Sequence, residues 1–217
     1  KKNLCVLMID TQGIFWTMKS PNEKEIYLLN EWGLRPDGFA VNVYVPEGQE
    51  RFFLESQVDF DGVFSISAHE LSYEDWISVF ELDPNQPLGI MVQRVINHLQ
   101  EREFTIDDII KKIREEKGFD NEKLALENRF EAAKTWGIFG GARMPEILHG
   151  GKISILDVSL TPQNVRALLI SLVARKIFEE RTKARRAEEL AETEGMSLKR
   201  IPMCWMLIDE AHNFVPD

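Results

Sequence analysis

Three apolar runs in this chain each end at an aspartate. Residues 4–9 (LCVLMI) run into Asp10, residues 153–156 (ISIL) into Asp157, and residues 203–208 (MCWMLI) into Asp209. A run that is apolar at every position does not alternate between a dry and a wet face. It reads as a strand buried on both faces, the pattern of a parallel sheet. The carboxyl ends of parallel strands share one edge, so the three aspartates are expected to gather at one crevice. Residues 40–45 (AVNVYV) alternate, carry β-branched side chains and meet the turn signal Pro46-Glu47-Gly48, which predicts a further strand. Residues 63–67 give a weaker strand signal.

The middle of the chain reads as helix. Ser72 is the N-cap candidate of a first helix, with Glu74 and Asp75 in its first turn and Trp76, Ile77, Val79 and Phe80 on its apolar face. Pro87 opens a second, over about 88–102. Thr105 caps a third over 106–116, which Gly118 ends. A fourth covers about 121–136, with Leu124, Leu126, Phe130 and Ala133 facing inward. Short connections between successive helices predict a small antiparallel bundle over 68–136, inserted in an α/β core formed by 1–67 and 137–217. Thr161-Pro162 opens a long helix, with Pro162 at its first position. Its apolar residues Val165, Leu168, Leu169, Leu172, Val173, Ile177 and Phe178 follow a 3.6-residue period. Beyond Glu180 that helix is almost wholly charged. It reads as a solvated extension or, through Arg181, Lys183, Arg185 and Arg186, as a basic contact surface for nucleic acid.

Composition narrows the class. With 217 residues, 44% hydrophobic and 29% charged, the chain has the make-up of a soluble globular protein with a core of ordinary size. No apolar run reaches the roughly 18–20 residues that span a bilayer. No signal peptide is evident, and a cytoplasmic location is expected. The net charge of −10 argues against a surface coated for nucleic acid, but not against a local basic patch or the pore of a ring. Cys5 and Cys204 sit in apolar runs and read as buried, unpaired thiols. No Cys/His cluster has zinc spacing.

Asp209-Glu210 is the strongest chemical signal. Two adjacent carboxylates at a strand end suit the Walker B role in ATP hydrolysis, the first acid holding the Mg²⁺ shell and the second polarising the attacking water. The partner element, G-x-x-x-x-G-K-[ST], does not occur in the chain. Gly150-Gly151-Lys152 precedes a strand, so its amides are not at a helix N-terminus, and it reads as a turn. Gly137, Gly140, Gly141 and Arg143 read as a mildly basic loop leaving the bundle. Asp10 and Gly13 spell D-x-x-G, but the N-K-x-D element of GTPases is missing. Asp-Glu-Ala-His also occurs in superfamily 2 helicases, whose other motifs are not found here. His212, two residues past Glu210, reads as a structural histidine or as a hydrogen-bonding helper at a nucleotide site.

Taken together, IDEAHNFVP, ILDVS followed by TPQNVRALLISLVARKIFEER, and IDTQGIFWTMKSPN resemble the HerA/FtsK-type ATPases, in particular archaeal HerA-like proteins. The likeness extends over most of the chain. One departure stands out, since Ile14-Phe15 replaces the Glu-Tyr that follows this glycine in the family. The resemblance implies a RecA-like P-loop core with a helical insertion, working as a hexameric ring that translocates double-stranded DNA with ATP and Mg²⁺, in concert with the nuclease NurA in DNA end resection. Carried over by position, Asp209 is the Walker B acid and Glu210 the catalytic base. Asp10, with Gly13, ends the strand that follows the phosphate-loop helix. The family's phosphate loop would then lie upstream of Lys1 and its trans-acting arginine downstream of Asp217, and the 217 residues alone are expected to be inactive. Two alternatives remain at this stage: a related ring ATPase of a conjugation or secretion system, and a non-catalytic scaffold with the same fold.

Overall fold

A computed structural model describes residues 3–118, 120–141, 144–196, 198 and 200–214. Five strands form one sheet: β1 (Leu4–Asp10), β2 (Val41–Pro46), β3 (Gly62–Phe64), β4 (Ile153–Asp157) and β5 (Met203–Ile208), in the order β3-β2-β4-β1-β5. Every pairing is parallel, so the architecture is α/β, as the apolar runs predicted. β1 and β4 pair from Val6 with Ile153 to Asp10 with Asp157. β1 and β5 pair from Leu4 with Met203 to Ile9 with Ile208. The three runs are therefore neighbours, and their aspartates fall at one edge.

The two faces of the sheet are covered unequally. One face carries Cys5, Leu7, Ile9, Phe64 and Leu156 into a core that continues without a break into the helices. The other bears a thinner cluster of Val41, Val43 and Ile155, covered by Phe15, Trp16, Met18 and Phe60 from the connection between β1 and β2 and the loop before β3. At β5 this second face is bare. Met203, Trp205 and Leu207 point out to solvent, with Trp205 62% exposed. The sequence predicted a strand buried on both faces. Among the described residues nothing lies beyond or over this edge strand, so only alternate side chains are packed.

The helices follow their local signals. α1 (Ile26–Glu31) and α2 (Glu50–Glu55) are short. α3 (Tyr73–Val79) starts at a capping box in which the Ser72 hydroxyl accepts from the Asp75 amide and the Asp75 carboxylate accepts from the Ser72 amide. α4 (Pro87–Leu99) has its proline in the first turn. α5 (Ile106–Glu115) repeats the capping box with Thr105 and Asp108, and buries Ile106, Ile109, Ile110 and Ile113 on one stripe. α6 (Asp120–Lys134) buries Leu126, Phe130 and Ala133. Leu124, predicted to face inward, is 63% exposed, because it is two residues from Leu126 and so on the far side of the helix. Trp76 is the hub of the bundle, with the rings of Phe80, Phe130 and Phe139 4.8–5.6 Å from it. The glycine loop after α6 docks on the turn after β2, where the Gly48 amide donates to the Gly137 carbonyl at 2.9 Å. Arg143 of that loop, like Val215 and Pro216 of the final motif, lies outside the described residues.

α7 (Gln163–Glu194) packs its first half under the sheet, and Asp75 of α3 accepts from both terminal nitrogens of Arg175. Pro162 takes the N-cap position rather than the first helical one. Phe178, placed on the apolar stripe by periodicity, is 73% exposed, because at about 3.6 residues per turn it falls on the side of α7 opposite Val165, Leu169 and Val173, while Ile177 beside it still packs on the core. The charged extension is not solvated on all sides. Ala184, Glu188 and Ala191 are buried, and Arg181 binds both Glu188 and the carbonyl of Ile201 in the segment returning to β5.

Deleting the Phe130 side chain, fully buried against Trp76 and Phe80, is expected to cost about 3–5 kcal/mol in Phe130→Ala. Leu124→Ala is expected to stay within about 0.5 kcal/mol of the parent. Urea unfolding of the two variants measures the contrast, and equal losses would contradict the placement of α6.

Candidate active site

The carboxyl edge is built by the sheet ladder. Beyond the last paired residues, the Val158 amide donates to the Asp10 carbonyl at 2.9 Å and the Asp209 amide to the Ile9 carbonyl at 3.1 Å. Both neighbours of β1 are thus held in register to their last residue, and Asp157, Asp10 and Asp209 stand in one row. Side chains alternate along a strand, so this row continues the face that carries Leu207 and Ile155.

The three carboxylates have different surroundings. Asp10 is fully buried and closes the loop after β1. Its Oδ1 accepts from the amides of Gln12 (3.1 Å) and Gly13 (2.7 Å), and its Oδ2 from the amide of Phe15 (2.7 Å). Asp10, expected at the cofactor, therefore spends both oxygens on its own backbone. Gly13 has φ +72° and packs against the loop after β4, where an added Cβ would lie 2.7 Å from Ser159 Oγ and 3.5 Å from Asp157 Oδ2. Only glycine suits that conformation and that space. The crevice between β1 and β4 is thereby filled by protein.

Asp157 is 1% exposed. Its Oδ1 accepts from the amide (3.0 Å) and hydroxyl (2.6 Å) of Ser159, while Oδ2 is buried without a partner among the described residues. Burial pushes its carboxyl above the ordinary value. The two Ser159 bonds pull it back, the Asp10 charge raises it, and the Arg166 guanidinium lowers it. Arg166 also ties down the loop by donating to the carbonyls of Ser159 and Thr161.

Asp209 and Glu210 are more open. The Thr11 hydroxyl donates to Asp209 Oδ2 at 3.2 Å and lies 3.5 Å from the Asp209 carbonyl. Asp209 Oδ1 has no protein partner among the described residues. Glu210 is left-handed, at φ 50° and ψ 40°, a conformation that costs a non-glycine residue about 1–3 kcal/mol. It turns the chain sharply into a single 3-10 turn, Ala211–Asn213, whose end is tied to α7 by Gln163 Nε2 donating to the Asn213 carbonyl. His212 Nδ1 lies 3.2 Å from Glu210 Oε2, and both side chains reach solvent.

Of the residues singled out in sequence, Asp10, Gly13, Asp209, Glu210 and His212 thus come together at one edge. Arg181, Lys183, Arg185 and Arg186 do not. They lie on the distal half of α7, where Arg181 is held as described and Arg185 pairs with Glu189 at 3.0 Å. Sequence reasoning passed over Thr11, Ser159 and Arg166. The position of Thr11 directly after Asp10, and of Ser159 in the loop after Asp157, was the available signal, whereas Arg166 lies inside α7 and gave none.

Chemistry elsewhere is sparse. A cavity of about 660 Å³ opens beside Met144, His149, Lys176 and Arg200 and is also lined by Gly150 and Pro202, which precede β4 and β5. It is at the amino-terminal edge, away from the acids. Cys5 and Cys204 are adjacent, in register and unpaired, and burial pushes the Cys204 thiol up to about 12. Such a thiol is inert at neutral pH. Among the described residues no group of three or more His, Cys, Asp or Glu is arranged to hold a metal ion, and no helix is long and apolar enough to cross a membrane. No family model matches the chain, and no curated protein matches it.

Asp157 gives a pH test. A carboxyl raised in the folded state favours folding below its unfolded value and ceases to do so as pH rises through the folded value. Asp157→Asn is therefore expected to melt above the parent at about pH 7–8, with the gain closing toward about pH 4. Thermal melts across this range measure it, and a gain that grows toward acid would contradict the assignment.

Proposed function

We propose that this chain carries the Walker B half of an ATP-hydrolysing, RecA-like P-loop core of the HerA/FtsK kind, whose work is to translocate double-stranded DNA as a hexameric ring. The observation that carries the reading is Asp209-Glu210 at the carboxyl edge of an all-parallel sheet, the first acid with a free oxygen and the second on a strained turn beside His212. The open edge of β5 also supports it. Among the described residues, main-chain groups along that edge have no sheet partner, and an apolar face of Met203, Trp205 and Leu207 is bare. Parallel sheets are covered on both faces, so this edge and face suit a further element of such a core.

The donor set fits Mg²⁺. That ion takes one or two carboxylates and fills its remaining positions with water and phosphate oxygens, so it does not need a cage of protein ligands. Asp209, with one oxygen unpartnered among the described residues, suits this demand. Bound Mg·ATP supplies a neutralised phosphate chain and an electrophilic terminal phosphorus. Asp209 would hold the cation through hydrogen bonds from its water shell. Glu210 would accept one from the attacking water, orient it and take its proton as the oxygen–phosphorus bond forms and the bond to the departing ADP breaks. His212, whose Nδ1 lies 3.2 Å from Glu210 Oε2, would help to hold the Glu210 carboxylate while that water is in place. The buried loop anchored by Asp10 keeps the neighbouring strand end rigid, so neither acid has to reorganise during the reaction.

DNA enters through the resemblance and through the solvated face of α7. Lys183 and Arg186 are the side chains there best placed for phosphate contact, since Arg181 is used internally and Arg185 is paired. Contacts of that kind are electrostatic and weaken steeply with salt.

Glu210→Gln in the intact protein is expected to lower ATP turnover about 10²–10⁴-fold while leaving nucleotide affinity within a few-fold. Steady-state hydrolysis and fluorescent-nucleotide binding measure the two effects. Unchanged turnover would remove Glu210 from the chemistry. Stimulation of the parent's turnover by double-stranded DNA separates a DNA motor from a ring that moves protein.

A further inference from the structure

At the carboxyl edge, one side chain outside the Asp-Glu pair touches it from a neighbouring strand. Thr11 directly follows β1, is 3% exposed, and spends its hydroxyl proton on Asp209, with Oδ2 at 3.2 Å and the carbonyl at 3.5 Å. The position of that hydroxyl is fixed from several sides. Asp10, one residue earlier, is pinned by three backbone amides, so the chain at Thr11 cannot drift. β-branching restricts its χ1. The Asp209 amide is pinned to the Ile9 carbonyl on the same strand. The donor and the acceptor are thus carried on one rigid ladder, and the bond between them sets the rotation of the Asp209 carboxylate. With Oδ2 engaged, Oδ1 is the oxygen left to face the open side.

Resting on the ATPase reading above, we propose that Thr11 is a positioning residue for Asp209: its hydroxyl holds the carboxylate in the single orientation in which Oδ1 receives the water shell of the nucleotide-bound cation. Partners of this second layer tune metal affinity without touching the metal. An unpinned aspartate would sample rotamers that turn Oδ1 away, and the cation would lose part of its hold at no cost to the fold. The role needs a donor at the residue that follows β1, so a hydroxyl meets it and an isosteric methyl does not.

The test uses the intact protein and reads Mg²⁺ dependence, which a purely structural threonine would not alter. Binding of a fluorescent ATP analogue is titrated with Mg²⁺ for the parent, Thr11→Val and Thr11→Ser, alongside thermal melts. Thr11→Val is expected to need about 10-fold more Mg²⁺ for half-saturation, with binding of the metal-free nucleotide unchanged, and Thr11→Ser is expected to return within about two-fold of the parent. Thr11→Ala replaces Thr11→Val if the latter does not fold. Equal Mg²⁺ half-saturation in parent and hydroxyl-less variant would overturn the proposal and leave the ATPase reading standing. A parent that shows no Mg²⁺-dependent nucleotide binding would overturn both.

Discussion

The lateral register of β4, β1 and β5 is the constraint on which the candidate site depends. β1 is the central strand of the three, and its carbonyls at Ile9 and Asp10 take the amides of Asp209 and Val158. Those two bonds bring three aspartates to one edge. A slip of one residue in either pairing would send an acid to the opposite face and replace it with an apolar side chain. The register is protected by burial: Leu7, Ile9 and Leu156 fill the helix side of the sheet, and each would have to leave the core in a slipped alignment.

Within the row, each acid is differentiated by what its loop offers it. Asp10 is consumed by three amides of its own turn and becomes the anchor of the edge. Asp157 shares one oxygen with Ser159 and keeps the other dry, so burial works against its charge. Asp209 has a hydroxyl partner on one oxygen and, unlike Asp157, is only half-buried, so its other oxygen, without a partner among the described residues, can be reached. Of three aspartates that look alike in sequence, the packing leaves one available to a ligand. Glu210, strained and half-open, is the only carboxylate directly joined to it.

The sheet was legible because a run of consecutive apolar residues can be satisfied in few ways, and the aspartates marked where each run stopped. Capping boxes at Ser72 and Thr105 were legible for a local reason, since their partners are three residues away. What misled the reading was position relative to an edge. The composition of 203–208 is that of a central strand, yet β5 is exposed on one face, and no property of the run itself records whether a neighbour lies beyond it. Phe178 was misplaced for another reason: it falls on the opposite side of α7 from Val165, Leu169 and Val173, although Ile177 beside it packs on the core. At the site, the pair Asp209-Glu210 was legible from two adjacent letters. Thr11 was not, because its partner is 198 residues away and only the sheet order makes them neighbours. The commitment of Asp10 to its own loop was equally hidden, since D-x-x-G describes both an anchor and a ligand.

The central claim is that the edge at β5 receives nucleotide and metal at Asp209 and Glu210. A structure of the intact protein with ADP, beryllium fluoride and Mg²⁺ tests it most directly. The expected result is the cation with its waters against Asp209 Oδ1, Glu210 facing the terminal fluoride group, and Trp205 covered by a further element of the core. Nucleotide bound elsewhere, with Asp209 and Glu210 still open to solvent and Trp205 still bare, would contradict it.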